Sequence, residues 1–538
     1  MELIENATNE KLRGGFYTPA PLVKLICDWL VSNGVRGSVL EPSCGDGNFL
    51  SDLSKIGIGS ITAIEYDVVE YNKALARANG NVHVINEDFH SYCNSTLEKF
   101  DAVVGNPPYI RYQYFEKDQR EEAIKIFERA GLKYSKLMNA WVSFVVGSSL
   151  LLKENGKIAF VLPAEILQVG YAKTLRKFLT SYYRKISILT FRKLVFEGIQ
   201  QEVVVVFCDR DGKKRTKIDH FELNGLDDLA KFDVTKINKP SKIIQHANSK
   251  WTHYFLNSLE IDFLKEVEKH DSVVKLGDLC KVEVGITTGA NPFFTVTDET
   301  VVQYDLQDYA YPMVGRSVQV PSIYLTKRDW MQNVLQGSRA YFLIFPTYNN
   351  LNEGAKRYIS EAEVSNKYHR GYKCRIRDEW FIVPSISVSD GLFIRRNNIY
   401  PKIINNGIGA YTTDTMHRVW TKQDVSLDSV IGSYYNSLSL AHAELQGRSH
   451  GGGVLELMPN ETERIALPYF KGNAEHISEI DEMLRNNQSI IRVLEVMNRK
   501  ILKNQLGLSK KEVILCEGIR CKLLGRRMSR GGKKSPTK

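Results

Sequence analysis

At 538 residues the chain is too long for one hydrophobic core, so two or three domains are expected. The composition is that of an ordinary folded protein and excludes a disordered or low-complexity polypeptide. A net charge of +10 is modest for this length but agrees in sign with a polyanionic partner.

The N-terminal stretch MELIENATNEKLRGG carries acids and no apolar centre, unlike a secretion signal. After it, strand and helix signals alternate for about 210 residues. SVLEP (Ser38 to Pro42) is a short strand, followed by a glycine-rich turn and the helical GNFLSDLSKIG. SITAIEY is a second strand, VVEYNKALARA a helix, NVHVINED a third strand and FDAVVGN a fourth. Helical patterns follow around Lys117 to Ala130 and Leu137 to Lys153, the latter holding the longest apolar run, Trp141 to Leu152. That run is too short to cross a bilayer and reads as a buried helix. The strand KIAFVLP, the helix YAKTLRKFLTSYY and two last strands, KISILTFRK and QEVVVVFC, complete the series. This rhythm predicts an α/β fold, a doubly wound and mostly parallel Rossmann-like sheet covered on both faces. Ligands of such sheets bind outside the carboxyl ends of the strands.

The candidate functional residues lie at those ends. In LEPSCGDGNFL (Leu40 to Leu50), Gly45 and Gly47 permit a sharp turn and close approach to a ligand, and the following helix would offer its N-terminal amides. Glu65 ends the second strand twenty residues after Gly45, where a carboxylate accepts hydrogen bonds from both hydroxyls of a ribose. Glu41 and Asp46 would repel a pyrophosphate but suit an ammonium group, which favours an adenosine joined to an amino acid over a dinucleotide. Asp88 and Phe89 close the third strand as an acceptor for an adenine amino group beside an apolar wall. After the fourth strand, VVGNPPYI (Val103 to Ile110) places two prolines where the backbone turns stiff and extended. By itself that segment is either a strand-ending turn or a rigid acceptor platform with an aromatic face.

Taken in order, Y-T-P at Tyr17 to Pro19, E-P-S-C-G-D-G-N-F, I-E-Y at Ile64 to Tyr66, E-D-F at Glu87 to Phe89 and G-N-P-P-Y-I resemble the gamma-class, TaqI-like adenine-N6 DNA methyltransferases. The resemblance is strong over roughly the first 210 residues and weaker beyond. It implies S-adenosylmethionine as cofactor, with Tyr17, Thr18, Pro19, Glu41, Ser43, Cys44, Gly45, Glu65, Tyr66, Asp88, Phe89, Asn106 and Pro107 around it. It implies double-stranded DNA as substrate, a restriction-modification setting and a separate cognate endonuclease as companion. The implied catalytic residues are Asn106, Pro107, Pro108, Tyr109 and Phe196. An exocyclic amine on an aromatic ring is a poor nucleophile because its lone pair is delocalised. Accepting both its hydrogens, on the Asn106 side-chain oxygen and the Pro107 carbonyl, turns that lone pair towards a methyl donor. Pro108 stiffens the platform, Tyr109 offers a stacking face to a base that has left the duplex, and Phe196, in the loop before the last strand, is the second aromatic. No covalent nucleophile is needed, so Cys44 is expected to be a small loop residue. Other amino-methylating enzymes on this fold, acting on glutamine, cytosine N4 or RNA, and a non-catalytic DNA-binding subunit are the alternatives.

Beyond about Thr235 the alternation stops. IDFLKEVEKH is a helix, and KLGDLCKVEVGITTGANPFFTV opens a mixed α+β composition in which VGITTGANPFF resembles the start of target-recognition domains of this class. NKYHRGYKCRIR (Asn366 to Arg377) interleaves cations with aromatics, suiting phosphate contact and stacking. GRSHGGGVLELMP (Gly447 to Pro459) resembles a second recurring element of those domains, its glycines serving close backbone approach or a tight turn. ISEIDEMLRNNQSIIRVLEVMN is amphipathic helix, and the acid-free end RCKLLGRRMSRGGKKSPTK is expected to be a flexible basic tail. The expected divisions are a catalytic domain over 1–235, an α+β target-recognition domain over 236–470 and C-terminal helices with the tail over 471–538. Eight scattered cysteines without a C-x-x-C pair predict a reduced, cytoplasmic protein with no structural metal. A monomer is expected, with no membrane partner and no nuclease domain ahead of the Y-T-P element.

Overall fold

Short apolar runs closed by glycine, proline or a carboxylate become the strands of a nine-stranded sheet. Its strands are β1 (Ser38–Glu41), β2 (Ser60–Glu65), β3 (Val82–Asn86), β4 (Phe100–Gly105), β5 (Leu152–Pro163), β6 (Lys185–Phe191), β7 (Val203–Asp209), β8 (Lys217–Leu223) and β9 (Lys242–Ile243). The spatial order is β3-β2-β1-β4-β5-β7-β6-β8-β9. Strands β3, β2, β1, β4 and β5 run parallel, each joined to the next through helix or loop crossovers. Strand β7 is antiparallel to both neighbours, β5 and β6; the eleven residues between β6 and β7 are fewer than a parallel crossover needs. The computed structural model describes residues 17–110, 114–135, 138–196, 202–210, 216–243, 250–450 and 452–529.

Alternation along the strands sends successive side chains to opposite faces. Val39, Ala102, Val104, Ala159, Val161, Val205 and Phe207 share one cluster with Leu22, Ile26 and Trp29 of α1 (Ala20–Ser32), and the Trp29 and Phe207 rings lie 5.0 Å apart. Between them, Leu40, Val103, Phe160 and Leu162 are equally buried. Helices α2 (Val68–Arg77), α3 (Phe89–Ser95), α4 (Lys117–Arg129) and α5 (Ala140–Leu150) follow in the chain. Helix α5 is buried on every side, as its all-round apolar sequence requires, and a Cβ at Gly147 would stand 3.1–3.2 Å from Phe89, Cys93 and Ile126 of α3 and α4. The helix expected after the glycine loop is only Leu50–Leu53 with a 3-10 turn, too short to act as an anion-binding terminus.

Two compact units divide between Ile261 and Asp262, beyond the expected boundary at 235. The added segment stays with the sheet because β9 pairs with β8 and the Phe255 ring stands edge-on to His220 at 4.6 Å. The second unit contains a four-stranded antiparallel sheet in the order Cys280–Val284, Met416–Thr421, Gly391–Ile394, Ile403–Asn405. Helices His476–Arg485 and Ile490–Met497 place Ile480, Met483, Val493 and Met497 in one core with Val419, Phe393 and Ile403 of that sheet. A three-stranded ribbon has β12 (Val454–Glu456) between β10 (Arg396–Asn397) and β11 (Arg448–His450).

Most of the expected basic tail is structured. Residues Lys510–Ser529 form helix α6, and Arg527 is 2 % exposed. Its guanidinium donates to both oxygens of Glu444, at 2.9 and 2.6 Å, and to the carbonyls of Asn398 at 2.6 Å and Gly453 at 2.5 Å. A single buried cation therefore ties the ends of two chain segments to the last helix. Gly453 has a φ of +76°, and a Cβ there would sit 3.3 Å from the Arg527 carbonyl, so the glycine run serves an approach to this chain's own helix. Residues 530–538 and Gly451 lie outside the described residues. Removing Arg527 leaves Glu444 as a buried, uncompensated charge, so Arg527→Ala is expected to destabilise the second unit by about 3–5 kcal/mol. Urea unfolding followed by tryptophan fluorescence measures it.

Candidate active site

Because β3, β2, β1 and β4 are parallel neighbours, their carboxyl ends deliver Asp88, Glu65, the 41–47 loop and Asn106 in that order along one edge of the sheet. Three strand spacings make that row about 14 Å long. An extended ligand of adenosine plus amino-acid size fits such a row.

The loop after β1 is fastened to β2. The Cys44 N–H donates to the Ile64 carbonyl at 2.9 Å, and the Gly45 N–H donates to Glu65 Oε2 at 2.8 Å. Glu65 Oε1 accepts the Asp67 N–H at 2.9 Å. Each carboxylate oxygen has a second lone pair, so both remain able to accept from a diol. Burial raises the Glu65 pKa, against the two backbone bonds that lower it. Gly47 adopts a φ of +85°, and a Cβ there would lie 3.0 Å from the Ala74 backbone of α2, so only glycine lets the loop sit this close.

Glu41 is 1 % exposed, and among the described residues its Oε2 has no hydrogen-bond partner. Burial, then the charges of Glu65 and Asp46, push its carboxyl well above the usual range. The Ser43 hydroxyl oxygen is also buried without a partner among the described residues. Asp46 is not simply a repelling charge, since its Oδ2 pairs with Arg77 Nη2 at 2.9 Å, a contact the sequence did not announce. The Cys44 thiol is 5 % exposed and driven upwards by burial and then by Glu41, which keeps it protonated and unreactive. A buried carboxyl with an unmatched oxygen, among other carboxylates, suits a cationic ligand; the donor set therefore fits S-adenosylmethionine.

Asp88 caps α3, its Oδ1 accepting the His90 and Ser91 N–H groups at 2.9 and 3.2 Å. Gln119 donates to Oδ2 at 3.1 Å, and the buried His90 bridges towards the Ser143 hydroxyl at 2.7 Å. Burial works to raise the Asp88 pKa, but His90, Ser91 and Gln119 outweigh it and the carboxyl is lowered. Phe89, expected as an apolar wall, is 2 % exposed and stacked on Phe144 at 4.8 Å, so in this structure the ring belongs to the helix layer. Tyr17 and Tyr66 are about half exposed and are steadied through their hydroxyls by Glu70 at 3.0 Å and Glu116 at 3.1 Å. Thr18 is buried, and Pro19 is the N-cap of α1, its carbonyl accepting the Leu22 N–H at 2.9 Å.

At the end of β4, Pro107 is buried while Asn106, Pro108 and Tyr109 are half-buried. The Tyr109 hydroxyl lies 2.7 Å from Asn106 Oδ1 and 3.2 Å from the Val161 carbonyl, so its one proton is shared between two acceptors. Burial holds the phenol well above its ordinary range, and it stays a donor. Phe196 differs from expectation. It is 7 % exposed and lies in the apolar cluster with Val195, Leu189 and Val203: after β6 the chain is exposed at Arg192 to Leu194 and turns inward again at Val195 and Phe196. In this structure the ring is a packing element and not a presented face; residues 197–201 of the same loop lie outside the described residues. Among the described residues no three His, Cys, Asp or Glu side chains are placed to hold a metal ion, and no helix is long and apolar enough to cross a membrane.

Comparison with known proteins adds independent information. The profile of the family described as N-6 DNA Methylase matches residues 2–288, and that of the Type II methyltransferase M.Eco57I C-terminal domain matches residues 248–502. The chain is 23% identical over 467 residues to Type II methyltransferase M.AccI of Acinetobacter calcoaceticus, covering 83% of each chain. It is 21% identical over 468 residues to Type II methyltransferase M.XamI of Xanthomonas campestris pv. amaranthicola, covering 85% of each. Type II methyltransferase M.HindII of Haemophilus influenzae is 24% identical over 310 residues, 54% of this chain and 57% of that one.

The bonding of Glu65 generates a test. A charge-assisted hydrogen bond contributes about 1.5–3 kcal/mol, so Glu65→Ala is expected to weaken S-adenosylmethionine binding at least tenfold in calorimetry. Unchanged affinity would remove the end of β2 from the site.

Proposed function

The chain belongs to the N-6 DNA methylase family, and from that premise we propose how its parts divide the work of methylating DNA. It is a site-specific, adenine-N6 DNA methyltransferase of the restriction-modification type, and its cofactor is S-adenosylmethionine. The family's description leaves the glutamine, cytosine-N4 and RNA alternatives without support. The roles of individual residues, extrusion of the base, gamma-class membership and the recognition role of the second unit are our reading.

The observation that carries it is the placement of Asn106-Pro107-Pro108-Tyr109 at the end of β4, beside the β1 loop. When bound, the cofactor supplies an electrophilic methyl group on a sulfonium. Glu65 holds the ribose diol, Asp88 accepts from the adenine amino group with Tyr17, Thr18, Pro19 and Tyr66 around it, and Glu41 with Ser43 receives the amino-acid end, while Phe89 supports Asp88 from the helix layer. The Gly45 and Cys44 loop fixes the approach. On the DNA side, Asn106 Oδ1 and the Pro107 carbonyl accept the two hydrogens of the target amine and aim its lone pair along the transfer line. Tyr109 already directs its hydroxyl to Asn106 Oδ1. When a base enters, the amide oxygen uses its second lone pair or the phenol gives way to Val161, and the ring is left to stack on the extruded base. Phe196 joins that stack only if the chain around it opens, since it is buried here. A separate cognate endonuclease, a cytoplasmic location and a monomeric state complete the proposal.

Long-read sequencing of DNA from a host expressing the chain is expected to reveal N6-methyladenine in one recurring sequence context; unmodified DNA would overturn the reading. Asn106→Ala removes one acceptor, and methyl transfer should fall about 100- to 1,000-fold while cofactor binding stays within a few-fold. Near-normal transfer by that variant would exclude the acceptor role.

For DNA contact in the second unit, Arg370 and Arg375 are exposed, and among the described residues neither guanidinium forms an ion pair. Changing both to Ala should flatten the salt dependence of DNA affinity by up to about two units, roughly one per phosphate contact. Fluorescence anisotropy across a series of KCl concentrations measures the slope, and S-adenosylmethionine affinity should not move.

A further inference from the structure

The three-stranded ribbon of the second unit is organised around a buried anion. Glu456, on the central strand β12, is 5 % exposed. Its Oε1 accepts from Arg396 Nε at 3.0 Å and is ion-paired with Arg395 Nη2 at 2.9 Å, and its Oε2 hydrogen-bonds to His450 Nε2 at 3.0 Å. The His450 bond, partly opposed by burial, and then the Arg395 charge keep the Glu456 carboxyl low, at about 2. Arg396 and Arg448 are the residues directly opposite Glu456 on the two edge strands, so all three share one face of the ribbon. Arg448 in turn places its Nε 2.9 Å from Oε1 of Glu461, which is 2 % exposed. Both arginines therefore use Nε on a buried carboxylate. Among the described residues no hydrogen bond engages the Nη groups of Arg396 or Arg448.

Ion pairs made only for folding would place the cations where the carboxylates are, inside. Here the carboxylates are inside, whereas the Arg396 side chain is 67% exposed and that of His450 is 50% exposed. The buried acids order guanidinium and imidazole side chains that would otherwise sample many rotamers, and leave the planar donor forks of the arginines for a second acceptor. Such a fork matches tetrahedral phosphate oxygens. Pre-ordering removes part of the entropy loss that binding otherwise carries. The ribbon is further pinned by Arg527, which bonds the Asn398 carbonyl just beyond β10 and the Gly453 carbonyl just before β12.

We propose that Arg396, with Arg448 and His450, forms a pre-ordered surface for the phosphodiester backbone of double-stranded DNA, and that Glu456 is its positioning residue. The proposal rests on the reading of the second unit as the DNA-contacting part, and names the surface within it.

The test uses the full chain, a short fluorescein-labelled duplex of mixed sequence and a KCl series, with thermal unfolding recorded for every variant. Arg396→Ala, at an exposed position, should weaken binding and lower the salt slope by about one. An unchanged slope overturns the surface. Glu456→Gln separates positioning from simple charge. A carboxylate acting only as a counter-charge would, once neutralised, let DNA bind more tightly. A positioning carboxylate predicts weaker binding, roughly two- to tenfold for each cation set free, despite the added positive charge. Tighter or unchanged binding by a folded Glu456→Gln protein overturns its role, and if that variant fails to fold, Arg396→Ala decides alone. Should the unaltered chain leave DNA unmethylated and unbound, the proposed function itself fails. If it binds and methylates DNA while Arg396→Ala behaves like it, only this surface does.

Discussion

Strand β4 lies parallel to β1, with Val39 opposite Ala102 and Leu40 opposite Val103, and the chemistry of the first unit hangs on that pairing. A parallel neighbour ends at the same edge, so the Asn-Pro-Pro-Tyr segment emerges beside the glycine loop although some sixty residues of chain lie between them. An antiparallel β4 would have placed Asn106 at the opposite edge. The apolar residues of both strands, buried on two faces, hold the pairing in register, because a slip of one residue would turn Val103 and Val104 to the wrong layers.

Around that edge the protein concentrates negative charge. Glu41, Glu65, Asp46 and Asp88 gather within one row of strand ends, and among the described residues only Asp46 and Asp88 have cationic or hydrogen-bonding side chains beside them. Burial and mutual repulsion raise the Glu41 carboxyl, and burial raises that of Glu65. For an acid raised in this way the folded chain favours the protonated form, and the strain grows as pH rises through the ordinary carboxylate range. A ligand bearing an ammonium and a sulfonium reverses that balance by favouring the ionised acids. In the proposed reading, the crowding of carboxylates that raises these acids is the same feature that selects a cationic ligand.

In the proposed division of labour the second unit faces a complementary problem. A surface that meets a polyanion needs exposed cations, yet flexible cations lose entropy when they bind. Glu456, Glu461 and Glu444 are buried acids, each engaged by one or more arginines. They fix guanidinium groups to a short ribbon and to the last helix. Such pairs add little net stability compared with apolar packing, but they set where the charges stand.

What the amino-acid sequence determined by itself is what local chemistry dictates. The alternation of apolar runs with amphipathic stretches specified the order of strands and helices. The glycines after β1, the carboxylate closing β2 and the prolines after β4 marked the strand ends, because turns and φ restrictions act over a few residues. Relations between distant residues were decided only by the tertiary structure. Nothing near Phe196 in the chain announces that it packs under the sheet; nothing near Asp46 announces Arg77. A run of cations in RCKLLGRRMSRGG reads as a solvated tail until Glu444, more than eighty residues earlier, is found against Arg527. The Tyr109 hydroxyl likewise meets the Val161 carbonyl only because β5 lies next to β4. Composition and periodicity carry the first kind of information. The second exists only once the chain has folded and burial has chosen each charge its partner.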